Sequence, residues 1–564
     1  MRKISLLSKI LSVLAILAVC TFTASAYDFM VDGICYNIIG ENEVEVTHND
    51  SVKYQGEVIV PATVTQDGVV YHVTVVGRQA FYGCSELTLV GLPEGVTKID
   101  EMAFEGCRNL EYMEFPNSLV SIGRWAFNYC YKIRTLNITR NITDIAYNVF
   151  AHFSGMENYT CSALNPKYKA VDGVLYSKDI TEVVAYPQAC PATTYVIPST
   201  VTTLGDYCLH NCDSLREIII PESVTKLGMN IFSGCDNIES IDLPDGVTSM
   251  GVTVFGNCSK LKHVHLPASA DSILSSFFTY CTSLEEVTIP RNVKYIGVYS
   301  FTECRNLKTI TFEEGSCLDL IDLRAFENCT ALESFDMPNS VTALGGQIFG
   351  YCRSLKSVHL SESLARLTGP TFYYCDALTS VEVPPSVTYI EPSAFDFCPS
   401  LKSIKIGSKD AGPGTTFIDF YAIYECPELQ RLEFGANIDS LDSSALINVK
   451  NLKVFISWAM NPPRFSGTYE IAPANRECPL YVPRAAMDAY SQARYWKYFS
   501  QIVPIEDVGD LNGDGLLTVG DVTALISKVL SGEAAGNALA DVNLDGTINI
   551  SDVTALIRRI LSGS

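Results

Sequence analysis

The chain reads as a mainly β solenoid that ends in a small all-α module, and three features of the sequence predict this. Phenylalanine recurs with a 23-residue period, at Phe81, Phe104, Phe127 and Phe150, at Phe232, Phe255, Phe278 and Phe301, and at Phe326, Phe349, Phe372 and Phe395. A cysteine follows most of these three residues later. An oxygen-rich loop pattern is written twice in the last 55 residues. A fixed period of this length marks stacked structural units. One unit alone cannot bury its apolar residues, whereas stacking buries each against its own copy in the next unit.

The segments follow in order. Residues 1–26 have the form of a secretory signal: Arg2, Lys3 and Lys9 precede an apolar run from Ile10 to Cys20, and Ala24-Ser25-Ala26 offers small residues for cleavage. Leu17-Ala18-Val19-Cys20 faintly resembles a lipoprotein signal, although Val19 is large for one. Residues 27–74 alternate like strands (Tyr36, Val44, Val46, Val58 and Val60) and are expected to cap the first unit. Residues 75–463 form the repeat array. The array is broken by an insertion at residues 158–207, where Asp172-Gly173 marks a hairpin. The alternating stretch before proline in each unit, such as Ser240 to Leu243, is expected to be a strand paired in parallel with its copies about 4.8 Å away. Residues 464–505, with a strand at Leu480 to Val482 and a helix from Met487 to Phe499, are expected to close the far end.

Residues 508–564 hold the duplicated loop. The first copy places Asp510, Asn512, Asp514 and Asp521 at positions 1, 3, 5 and 12, with Gly515 at 6 and the carbonyl of Leu516 at 7. The second, 31 residues on, places Asp541, Asn543, Asp545 and Asp552 likewise, with Gly546 and the carbonyl of Thr547. A hard cation wants six to eight oxygens, and the glycine allows the sharp turn that gathers them, so two Ca²⁺ ions are expected. Pro504 and Gly509 leave no room for an entering helix before the first loop, so these are not EF-hands. Helical spacing does follow each loop, at Val522, Leu525, Ile526, Val529 and Leu530, and at Val553, Leu556, Ile557, Ile560 and Leu561. Such loop-then-helix pairs with aspartate at position 12 resemble a type I dockerin. The resemblance implies a cohesin-bearing partner, met by loop positions 10 and 11 and a polar pair on each helix. Here these are Val519-Gly520 and Ile550-Ser551, then Ser527-Lys528 and Arg558-Arg559. The hydroxyl pair usual at positions 10 and 11 is missing. A calcium-stabilised cap with no partner is the bland alternative.

The repeat itself resembles the BspA-like leucine-rich repeats of the Treponema pallidum type, over residues 75–463. Thirteen of the twenty cysteines share one repeat position, from Cys84 to Cys426. One cysteine per unit, an odd number of them, and replacement by Phe153 and Val449 favour a ladder of buried thiols over disulfides.

The 40 basic and 63 acidic residues give a net charge of −23; removing residues 1–26, with their three basic residues, takes it to −26. That surface repels nucleic acid. No stretch after the signal reaches the length that spans a bilayer, so a secreted or cell-surface protein is expected. No nucleophile-elbow, phosphate-loop or metalloprotease motif is present. Asp242, His263, His265 and Glu286 fall on one face of neighbouring units as a weak metal candidate, against the plainer reading of a solvated face. Tyr351, Tyr374 and Phe397 stand just before successive cysteines, as a ledge for sugar or protein or as a half-buried cover over the turn. The expected function is a non-catalytic binding or adhesion protein, with protein or glycan ligands on the repeats and a dockerin anchoring it to a cohesin. The alternatives are an accessory subunit of a polysaccharide-degrading assembly and an unrecognised hydrolase.

Overall fold

The computed structural model describes residues 27–49, 53–412, 415–447, 449–467, 478–533 and 536–562. The signal-like segment, with Cys20, lies outside them. Two compact units divide the chain, residues 1–235 and 236–564.

In the first unit, residues 27–47 form antiparallel strands (Phe29–Val31, Ile34–Gly40 and Glu43–Thr47). The last of these pairs in parallel with Val69–Val76, which passes the sheet to Lys98–Ile99, Ser121–Ile122 and Asp144–Ile145. The cap therefore covers the first turn by continuing its sheet. A hairpin, Tyr168–Val171 with Val174–Ser177, turns at Asp172-Gly173 inside the expected insertion. Parallel pairing then resumes from Glu182–Ala185 to Thr203–Leu204 and Lys226–Leu227.

In the second unit one sheet runs unbroken through Ser334–Asp336, Ser357–His359, Ser380–Val383, Ser403–Ile406, Arg431–Phe434, Val454–Ser457, Leu480–Val482 and Ile502–Pro504. The turns also carry a second, short strand, two residues long in most of them, such as Tyr295–Ile296 beside Leu320–Ile321, and up to five at Ile438–Asp442. The far cap differs from expectation. Its helix is only α1 (Met487–Gln492), flanked by short 3-10 turns, because Ala493 is extended and Tyr495 has φ +74°. Trp496 instead turns inward, its Nε1 donating to the Pro463 carbonyl at 2.9 Å.

The third side of each turn carries the phenylalanine and the cysteine. Consecutive rings stack face to face: Phe81 on Phe104 at 5.0 Å, Phe278 on Phe301 at 5.1 Å and Phe372 on Phe395 at 5.4 Å. At the insertion Phe153 also stacks on Phe127, at 6.3 Å, although it holds the cysteine position. The repeat-position thiols are buried, and at least ten of them donate to the carbonyl of the phenylalanine-position residue one turn earlier. Cys107 reaches Phe81 at 3.1 Å, Cys281 reaches Phe255 at 3.0 Å and Cys426 reaches Phe395 at 3.1 Å. The residue before each of these cysteines lies in the left-handed region whatever its type, with φ +66° at Gly83, +61° at Asn257 and Tyr351, and +66° at Glu303.

Candidate calcium loops and partner surfaces

The two loops fold alike. Asp510 is buried, and its carboxylate accepts from the backbone N–H of Gly513 (2.7 Å) and Gly515 (2.8 Å). Asp521, fully buried, accepts from Leu511 and Thr518 (both 2.9 Å). Asn512 and Asp514 turn the loop by accepting from the next amides but one, Asp514 and Leu516. The second copy matches: Asp541 accepts from Asp545 and Gly546, Asp545 from Thr547, and Asp552 from Asn543 and Asn549. Thr518 caps α2 (Val519–Ser531) with Asp521 in a reciprocal capping box. Helix α3 (Ile550–Ser562) follows the second loop. The two helices close over a small core of Leu525, Ala540, Val542, Val553 and Leu556.

The donor set fits a calcium ion. Asp510, Asp521, Asp541 and Asp552 are at most 8 % exposed. Among the described residues no lysine or arginine ion-pairs with any of the four. Buried carboxylates without a counter-charge are costly, and a bound cation supplies one. The strain shows at Asp541, whose carboxyl is pushed up to about 6 by burial and by the charges of Asp552 and Asp545. Among the described residues no three His, Cys, Asp or Glu side chains converge tightly enough to hold an ion alone. In this geometry the carboxylates accept from backbone amides.

The module's outer surface repeats with the loops. Val519, Ile526 and Leu530 on α2 are 72, 38 and 82 % exposed; Ile550, Ile557 and Leu561 on α3, each 31 residues later, are 69, 41 and 81 % exposed. Two matching apolar stripes thus face solvent. The helical spacing read from the sequence grouped Ile526, Leu530, Ile557 and Leu561 with the buried Leu525 and Leu556; their exposure places them on these stripes. Ser527, Ser551 and Arg558 are exposed and Lys528 half-buried beside the stripes. Arg559 is occupied, its Nη1 donating to the Val508 carbonyl at 2.6 Å.

The array's own candidates are also placed. Tyr351, Tyr374 and Phe397 stack face to face at 5.3 and 4.9 Å, with ring planes within 5° and 1° of parallel, and Tyr373 and Phe397 meet edge-on at 5.9 Å. Both faces of Tyr374 are therefore covered, and the column presents edges. The histidine–acid candidate comes apart into two exposed pairs: His263 with Glu286 at 3.5 Å, and His265 with Asp245, rather than Asp242, at 3.7 Å. Elsewhere His210 is buried against His152 (ring centroids 4.7 Å) and Tyr207 (5.4 Å), and both its ring nitrogens lack a partner. Burial first, then His152, pushes it down to about 3.

Comparison with known families accounts for both regions. A model described as the BspA type leucine rich repeat region, in six copies, matches residues 70–170, 182–308, 271–398 and 365–459. The chain belongs to the BspA-type leucine-rich repeat family. A type I dockerin model matches residues 508–561, so this BspA-type protein carries a dockerin, a domain that binds calcium and a cohesin-type partner. A leucine-rich repeat protein from Bacteroides ovatus is similar at 26 % identity over 67 % of this chain and 100 % of that one, with a TM-score of 0.40. One from Eubacterium ventriosum is similar at 22 % over 65 and 93 %, TM-score 0.39. A leucine rich cell surface protein from Faecalibacterium prausnitzii is similar at 21 % over 72 and 94 %, TM-score 0.33. No curated protein matches the chain. Among the described residues no helix is long and apolar enough to cross a membrane. Leucine-rich repeat and dockerin domains are themselves non-catalytic.

Proposed function

We propose that this is a secreted, non-catalytic binding protein whose repeat array displays a ligand surface and whose dockerin fastens it, with two calcium ions, to a cohesin-bearing scaffold. The observation that carries the reading is the residue-for-residue duplication of buried aspartates inside the module and of apolar stripes outside it. In each loop Asp, Asn, Asp and Asp side chains and the carbonyl of Leu516 or Thr547 would hold the ion. The ion supplies the positive charge that offsets the buried carboxylates. The chain's part is to fix helix orientation: amide bonds to Asp521 and Asp552 tie each loop to the first turn of its helix and so aim the stripe.

For the array, the covered faces of the Tyr351–Tyr374–Phe397 column support a protein ligand over a glycan. Sugar rings stack on open aromatic faces, whereas tyrosine edges and hydroxyls are common in protein interfaces.

The test is binding of the full-length protein to a panel of immobilised cohesins, with and without chelator. Calcium-dependent capture is expected, lost when Leu530→Glu and Leu561→Glu are combined. Since the stripes are twins, either substitution alone is expected to leave most of the binding. Failure of every cohesin to bind calcium-loaded protein would defeat the anchoring role.

A further inference from the structure

The two calcium loops are alike in sequence but stand in different surroundings. At position 4 the first loop has Gly513, with φ +74° and open space around it. The second has Leu544, held at φ +55°. A left-handed leucine is unfavourable by itself, because its Cβ crowds the following carbonyl. The loop bonds it from within, Leu544 N–H donating to the Asp541 carbonyl at 3.3 Å, and the end of the repeat array with its cap braces it from outside. Its side chain packs on the cluster of Val454, Ile456, Tyr481, Val503 and Val508. Its carbonyl accepts from Arg431 Nη1, and Arg431 is itself held by Glu433 at 2.7 Å. The next features agree. A Cβ at Gly546 would lie 2.6 Å from Lys453 Cβ, whereas one at Gly515 would meet nothing within 4 Å. Tyr481 Oη donates to the Ala538 carbonyl, just before the second loop, at 3.0 Å.

We propose that Arg431 and Lys453, at the end of the repeat array, and Tyr481, in its cap, are positioning residues for the second calcium loop, so that the second ion site is assembled by both regions. This rests on the calcium reading above. Two consequences follow. The sites are unequal, and loading of the second ion fixes the module onto the array rather than leaving it on a tether.

The test is calcium titration of the full-length protein by calorimetry with a competing chelator. Wild type is expected to show two sites. Arg431→Ala is expected to weaken one about tenfold, the size of a left-handed penalty no longer offset, and to leave the other unchanged. In an Asp514→Ala background, which disables the first loop, the whole remaining site is expected to carry the Arg431 effect. Tyr481→Phe, which deletes one hydroxyl, is expected to weaken the same site by a few-fold at most. Trp458 gives a second readout, because its Nε1 donates to Glu433 at 3.0 Å and so senses Arg431. Its fluorescence is expected to respond to calcium in wild type and not in Arg431→Ala. An unchanged site in the Asp514→Ala, Arg431→Ala protein, with wild-type melting of the array, would overturn the proposal. Absence of any calcium uptake by wild type would instead overturn the reading beneath it.

Discussion

The repeat array and the calcium module solve the same problem by opposite means. The array buries identical side chains against their own copies, so its core grows with every turn: phenylalanine on phenylalanine at 5.0 to 6.0 Å, thiol on carbonyl at about 3.1 Å. The module has five buried apolar residues in its core and four buried carboxylates. Repetition needs no ion, whereas a core that small does. The lesson is where each region is fragile: the array at any interior rung, the module at its charge balance.

Chelation sharpens this contrast most. Removing calcium is expected to abolish the module's whole stability, about 3–5 kcal/mol for a core of that size, and to leave the array's transition in place. Scanning calorimetry of the full chain checks it, and a module transition indifferent to chelator would erase the distinction. Within the array, Phe278→Ala breaks a stack closed on both sides and is expected to cost about 3–5 kcal/mol, read from chemical denaturation. Acid gives a smaller effect. His210 titrates lower folded than unfolded, so its contribution is complete above pH 6.5 and is lost as pH falls below that. About 2 kcal/mol is expected to go between pH 7 and 5, and His210→Phe is expected to flatten that slope. If the variant keeps the slope, another group is responsible. Cys304→Ala removes a thiol and its bond to the Phe278 carbonyl at a cost of about 1 kcal/mol, and thiol titration of denatured, unreduced wild type is expected to find the ladder unblocked. Least of all, the exposed Lys262–Glu239 pair is expected to be replaceable without measurable change in melting.

Much of this was legible because periodicity survives translation into structure. The 23-residue spacing places Phe, Cys and Leu on one buried side, and the loop spacing places each aspartate where its amides are. Other features depend on geometry that residue types do not announce. The second strand of most turns is two residues long, too short for an alternation to register. The expected helix to Phe499 stops at Gln492 because Trp496 finds a better site inward than along a helix. His265 meets Asp245 because side-chain reach, not strand register, decides an exposed pair. Leu544 carries no signal of its own in the sequence. Its role becomes visible only when the array's end lies beside it.

One backbone detail has wide reach. In each cysteine-bearing turn the residue ahead of the cysteine is left-handed, and the occupants are glycine, asparagine, tyrosine, phenylalanine and glutamate. Val, Ile and Thr, which tolerate that conformation worst, are absent there. The conformation directs the side chain away from the packed interior, so its chemistry is uncoupled from folding. Within each unit these positions are interchangeable pegs, one per cysteine-bearing coil, on which a lineage can rewrite what the coils touch while the coils themselves stay the same.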